Sequence, residues 1–213
     1  MKKLVLPIAL FLSVATPLGV AQAAAASQAQ AAAAPAKVAA LKTALEGLWI
    51  GHIDAVRKVV VAEIGGNSAA TKTAEAGVVS NAHAIADAVA GFYGKPAGGK
   101  LFTLLAGHYG AIKAYLDATA AKDATAESKA TDALTANANE IAVFLSGANP
   151  YLPKATLSEM LLAHASHHIA QIQQLAAKDK AGEAKTRAQM KTHIVALADA
   201  LAEAIAKQFP SKV

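Results

Sequence analysis

Leu45-Glu46-Gly47-Leu48-Trp49-Ile50-Gly51-His52, Leu101-Phe102-Thr103-Leu104-Leu105-Ala106-Gly107-His108 and Leu157-Ser158-Glu159-Met160-Leu161-Leu162-Ala163-His164 are one pattern met three times, at a constant offset of 56 residues. In each, apolar residues recur at spacings of three and four and a His closes the stretch, which is how one face of a helix is written. The stripe runs on past the His: Leu45, Leu48, His52, Val56 and Val60 in the first copy; Leu101, Leu104, His108, Ile112 and Leu116 in the second; Leu157, Met160, His164, His168 and Ile172 in the third.

The same offset matches a second segment downstream, with Val78, Asn81, Ile85 and Val89 against Leu134, Asn137, Ile141 and Leu145, and against Met190, His193, Leu197 and Leu201. Each copy therefore reads as a helical hairpin, and the chain as an all-α bundle of three tandem hairpins, about six helices with a 56-residue internal repeat. Breaks are expected at Gly65-Gly66-Asn67, at Gly94 to Gly99 with Pro96, and at Gly147 to Pro153, with further turns near Lys122-Asp123 and Lys180 to Gly182. The copies span about 37–94, 95–150 and 151–210, a single domain over 37–210.

Every expected helix carries one polar residue within its apolar stripe: His52, Asn81, His108, Asn137, His164 and His193. With the first turn centred near Asn67 or Ser68, His52 lies about 16 residues before it and Asn81 about 13 after. At 1.5 Å per residue these stand within roughly one helical turn of each other in height. A shared spacing predicts one polar layer through all three hairpins, with small Gly51, Gly107 and Ala163 beside it to admit close helix approach.

Two readings of the layer follow. In one it is a hydrogen-bonded packing network fixing helix register, because a buried polar group left alone costs about 1–3 kcal/mol. In the other it holds a ligand, most plausibly copper, zinc or nickel, for which neutral imidazole is the commonest nitrogen donor. The metal ligands expected are His52, His108, His164 and His193, with His168 one turn beyond His164 as an auxiliary. Asn81 and Asn137 are expected to support them by hydrogen bonds, with Met160 and Met190, one turn before His164 and His193, as thioethers suited to copper. His167 falls beside the stripe, and His83 with Asp87 reads as a surface ion pair.

Composition narrows the alternatives. About a quarter of the 213 residues are Ala, 5% are aromatic and 16% are charged, which favours helix over strand. The absence of Cys removes thiolate metal sites, iron–sulfur clusters and thiol catalysis. His164 to His168 lacks the Glu of a zinc-protease helix motif, and no phosphate-binding loop, nucleophile elbow or dinucleotide fingerprint occurs. Met1 to Ala23 reads as a secretory signal peptide: Lys2 and Lys3, an apolar run from Leu4 to Val20, and Ala21-Gln22-Ala23 as a small-x-small cleavage site. The expectation is a periplasmic or secreted protein without membrane insertion after the signal is removed. Losing Lys2 and Lys3 leaves 18 basic residues against 15 acidic ones, scattered rather than blocked, so a nucleic-acid partner is not expected. Ala24 to Ala36, an Ala/Gln/Ser tract ending near Pro35, reads as a low-complexity leader outside the core.

Leu48-Trp49 followed by His52 and Arg57, Asn137 within Ala136 to Ile141, Phe144 to Pro150, Met160-Leu161 with His164, and Lys207-Gln208-Phe209-Pro210 together resemble a group of small bacterial helical proteins. The resemblance spans nearly all of residues 41–210. It implies that His52, Asn137, His164, His193 and Arg57 are family-type positions. The labels glycosyltransferase and acetylglutamate kinase often attached to the group require a nucleotide-binding element and strands of which this sequence carries no sign. The chain departs from the group at Ala55-Val56, where an aromatic and a Thr are expected. Together these readings give an exported helical binding protein with a His/Asn layer for a transition metal or small ligand, and as alternative a structural or protein-interaction bundle whose layer serves packing alone.

Overall fold

The computed structural model of the chain describes residues 18–213, with side chains from residue 35 onward. Most of the expected signal peptide, residues 1–17, lies outside the described residues. By internal contacts the chain divides into Met1–Ala36 and Lys37–Val213, and the whole of the site lies in the second part. Among the described residues there are six α-helices and no strand: α1 (Leu18–Ile64), α2 (Ser68–Tyr93), α3 (Lys95–Ala121), α4 (Ala124–Ala148), α5 (Lys154–Ala176) and α6 (Lys180–Gln208). None is long and apolar enough to cross a membrane.

Local chemistry sets the helix ends. Gly66 turns the chain between α1 and α2 at φ 69°. The side chains of Asn67, Asp123 and Asp179 then accept from backbone N–H groups three residues on, capping α2, α4 and α6. Lys122, at φ 55°, closes α3 in the left-handed conformation. Between the first two hairpins the expected break from Gly94 to Gly99 contracts to Gly94 alone, and Pro96 to Gly99 belong to α3. Pro96 is tolerated there because the first helical turn has no intrahelical acceptor for its missing N–H. Gly98 is small for a packing reason: a Cβ on it would stand 2.7 Å from the Ala86 carbonyl oxygen and 2.8 Å from the Ala90 Cβ, so α3 rests directly on α2. The last break is likewise shorter than expected, since α4 runs through Gly147 to Ala148. Asn149 then accepts from the Tyr151 N–H and donates to the Tyr93 hydroxyl.

The hairpins close on themselves. Helices consecutive from α2 to α6 pack on one another and α3 touches α5, while α6 returns to α1 through Lys42–Glu203, Asp54–Arg187 and Arg57–Glu183. The short connections make α1, α3 and α5 parallel, and these three meet inside, with α2, α4 and α6 between them. Apolar side chains fill the interior in two clusters, one around Leu45, Leu101, Leu157 and Leu197 and the other around Val60, Leu116, Leu134 and Ile172. Between the clusters lies the His layer.

Candidate metal centre

The equivalent stripes of α1, α3 and α5 deliver His52, His108 and His164 to the interior, and His168 joins them from the next turn of α5. The four are 1–3% exposed. All six ring pairs have centroids between 4.5 and 6.1 Å apart, and Trp49 stands edge-on to His52 at 6.0 Å. One nitrogen from each of the four lies within 4.8 Å of the other three. A tetrahedral ion with bonds of 2.0–2.1 Å holds its nitrogens about 3.3 Å apart. The Nε2 atoms of His164 and His168 are already 3.1 Å apart, so small side-chain adjustments in His52 and His108 complete the set.

The layer satisfies little of its own hydrogen bonding. One hydrogen bond joins His164 and His168 through their Nε2 atoms, which requires one to be donor and the other acceptor. His52 Nε2, both nitrogens of His108 and His164 Nδ1 are buried without a protein partner. Burial disfavours the charged form throughout: it holds His52 down at about 3, with His108 adding to the effect. His108 is held at about 4 by the same burial. Asn137, whose amide is outside hydrogen-bonding geometry to that ring, pulls weakly the other way. Burial first and the neighbouring imidazoles second keep His164 and His168 well below their ordinary value. The result is four neutral imidazoles gathered in one small volume, the form in which imidazole binds metal; an ion there would replace the His164–His168 hydrogen bond, the ring that donates it moving its hydrogen to Nδ1.

The remaining polar stripe residues do something else, and do it three times. Asn81 donates to the Leu48 carbonyl at 2.9 Å, Asn137 to the Leu104 carbonyl at 3.0 Å, and His193 to the Met160 carbonyl at 2.8 Å, each pair 33 residues apart. These bonds pin the outer helix of each hairpin to the inner one a turn before its His. Gly51 and Gly107 make room for them, since a Cβ there would stand 3.1 and 3.2 Å from the Asn81 and Asn137 amide nitrogens. In the third hairpin Ala163 occupies that place and the longer His193 side chain makes the bond.

Of the five His residues expected as ligands, the structure brings together His52, His108, His164 and His168, while His193 stands outside them with its ring 5.4 Å from that of His167. Met190 is fully buried in the apolar core and Met160 lies at its edge. His83 forms no ion pair with Asp87 among the described residues; its ring stacks on Phe102 at 4.0 Å.

One buried polar cluster has no signal in periodicity or spacing, although the resemblance marks Arg57 within it. Glu183, 6% exposed in the first turn of α6, takes Arg57 Nε at 2.6 Å and the Gln171 amide at 3.0 Å. Arg57 keeps the Glu183 carboxyl below its usual range despite burial. Comparison with protein-family models, curated proteins and solved structures finds no match, so the chemistry of the site rests on its own geometry.

Proposed function

We propose that this is an exported metal-binding protein that sequesters or delivers a transition metal, copper, zinc or nickel, held by His52, His108, His164 and His168. The observation that carries the reading is the convergence of four buried imidazoles within 4.8 Å, with four of their nitrogens lacking any protein partner. A network evolved for packing would satisfy its own donors and acceptors, since each orphan costs about 1–3 kcal/mol. A set of four nitrogens also fills a tetrahedral ion completely, which suits holding an ion rather than opening a position to a substrate. The four ligands bring no negative charge to offset the ion. Desolvating an ion costs more as its charge rises, so Cu⁺ is favoured over Zn²⁺ and Ni²⁺. Export rests on the signal peptide read in Met1 to Ala23.

Titration of the purified protein with Zn²⁺, Ni²⁺ and, without oxygen, Cu⁺ tests the proposal, with elemental analysis of the bound metal. One tight equivalent per chain is expected, tightest for Cu⁺, weakened by more than about 100-fold in the His52→Ala, His164→Ala double variant. No binding by the unmutated protein at micromolar metal overturns it. The packing reading predicts instead that these substitutions lower thermal stability with no dependence on metal.

A further inference from the structure

At three neighbouring positions the third hairpin carries an imidazole that the other two lack. Position 168 is His where its equivalents are Val56 and Ile112; position 167 is His where they are Ala55 and Ala111; position 193 is His where they are Asn81 and Asn137. His168 completes the buried group. His167 and His193 do not reach it, yet they face each other across α5 and α6 with ring centroids 5.4 Å apart, both half-buried at the edge of the bundle.

Each ring also has a nitrogen to offer an ion. The acceptor of the 2.8 Å bond from His193 Nε2 is a carbonyl oxygen, so Nε2 must carry the hydrogen. That leaves a lone pair on Nδ1 of a ring oriented by a backbone carbonyl, the support that metal-binding imidazoles commonly have. His167 Nδ1 is buried with no hydrogen-bond partner. At position 193 the bond to the inner helix is made in the other hairpins by Asn, where a Gly and not Ala163 faces it, and nothing in packing requires an imidazole at 167, where they carry Ala. The pair also adjoins the buried group: His167 precedes His168 in the chain, and His193 bonds the Met160 carbonyl one turn before His164.

We infer that His167 and His193 form a second, outer metal site through which the buried group exchanges its transition-metal ion with solvent. The inference rests on the metal-binding reading of the buried group. An ion held by two imidazoles and water at the edge is bound weakly, and moving inward it trades water for the nitrogens of His164 and His168.

The other hairpins supply the replacements for the test, His167→Ala with His193→Asn and Ala163→Gly, which restore the Asn beside a Gly that bonds the inner-helix carbonyl there. Full-length wild-type protein and this variant are loaded with Zn²⁺ or, without oxygen, Cu⁺, then stripped with excess chelator while release is followed in time. Wild type is expected to bind one tight and one weak equivalent. The variant keeps the tight one, loses the weak one, and loads and releases metal about tenfold more slowly or worse. The His52→Ala, His164→Ala variant should show the reverse, keeping only the weak equivalent. Unchanged rates and stoichiometry in the outer-pair variant overturn the inference and leave the buried site standing. So does loss of all binding in the inner-pair variant. A wild-type protein that binds only the weak equivalent, itself lost on changing 167 and 193, refutes the buried site while retaining the outer one as a metal site without an exchange role. Absence of any binding refutes both.

Discussion

The first two hairpins and the third are built to one plan and spend it differently. In the first two, one His per hairpin points inward, an Asn ties the helices together beside a Gly, and the neighbouring stripe positions are Val56 and Ile112. In the third the same inward His and the same interhelical bond recur, but His168 stands where the others have an aliphatic side chain. Positions alike in all three hairpins hold the bundle together, and His193 shares that duty with Asn81 and Asn137, whereas the imidazoles of His167 and His168 stand where the other two carry Ala or an aliphatic side chain. The comparison separates scaffold from chemistry within a single chain.

The harshest way to break the symmetry is acid. The four interior imidazoles are held below their ordinary value of 6.5, two of them to about 3 and about 4. Between 6.5 and those lower values the unfolded chain binds protons that the folded one refuses. Stability is therefore present above pH 6.5 and lost as pH falls, by about 1.4 kcal/mol per pH unit for each group. The metal-free protein should unfold cooperatively near pH 5, because the accumulated loss matches the whole stability of an ordinary domain. Circular dichroism across pH checks this, and a protein still folded with an unchanged Tm at pH 4.5 contradicts the burial of neutral His.

Replacing the odd residue with its counterpart is gentler. His168→Ile copies the second hairpin into the third, removes a ligand, and should reduce the acid slope by about 1.4 kcal/mol per pH unit. It should also cost about 1 kcal/mol at neutral pH by stripping His164 of its partner. Denaturant melts at pH 7 and 5.5 separate the two effects. The smallest contrast lies in the interhelical bonds. Asn137→Ala deletes a buried one and should lower stability by about 1–2 kcal/mol, whereas His193→Asn keeps a donor, though against the Ala163 Cβ, and should cost less, about 0.5–1 kcal/mol. Equal losses in thermal melts would mean that position 193 carries packing that its counterparts do not.

The sequence makes the polar layer legible because repetition turns a weak signal into a strong one: a lone His on an apolar stripe says little, but three at one spacing share a height. The six helices are read for similar reasons, and the caps Asn67, Asp123 and Asp179, which act on residues three positions away, fall at or just before the expected turns. What escapes is set by geometry over long separations. Arg57 and Glu183 are 126 residues apart, and Glu183 in a first helical turn reads as a residue placed for the helix dipole until α6 is seen to close onto α1. The fate of His193 is equally hidden, because spacing gives its height in the bundle and not whether its ring turns to the axis or to a carbonyl. Gly98 looks like part of a turn, although its smallness serves contact between two helices.

On the proposed metal-binding reading, the uncharged state of the interior imidazoles bears on metal traffic as well as on folding. A site whose ligands are already deprotonated gives up no hydrogen ions when metal arrives, so uptake by the folded protein is uncoupled from proton release over the neutral and mildly acidic range. Acidification would then free the metal by undoing the fold rather than by titrating one ligand after another, a threshold response in place of a graded one.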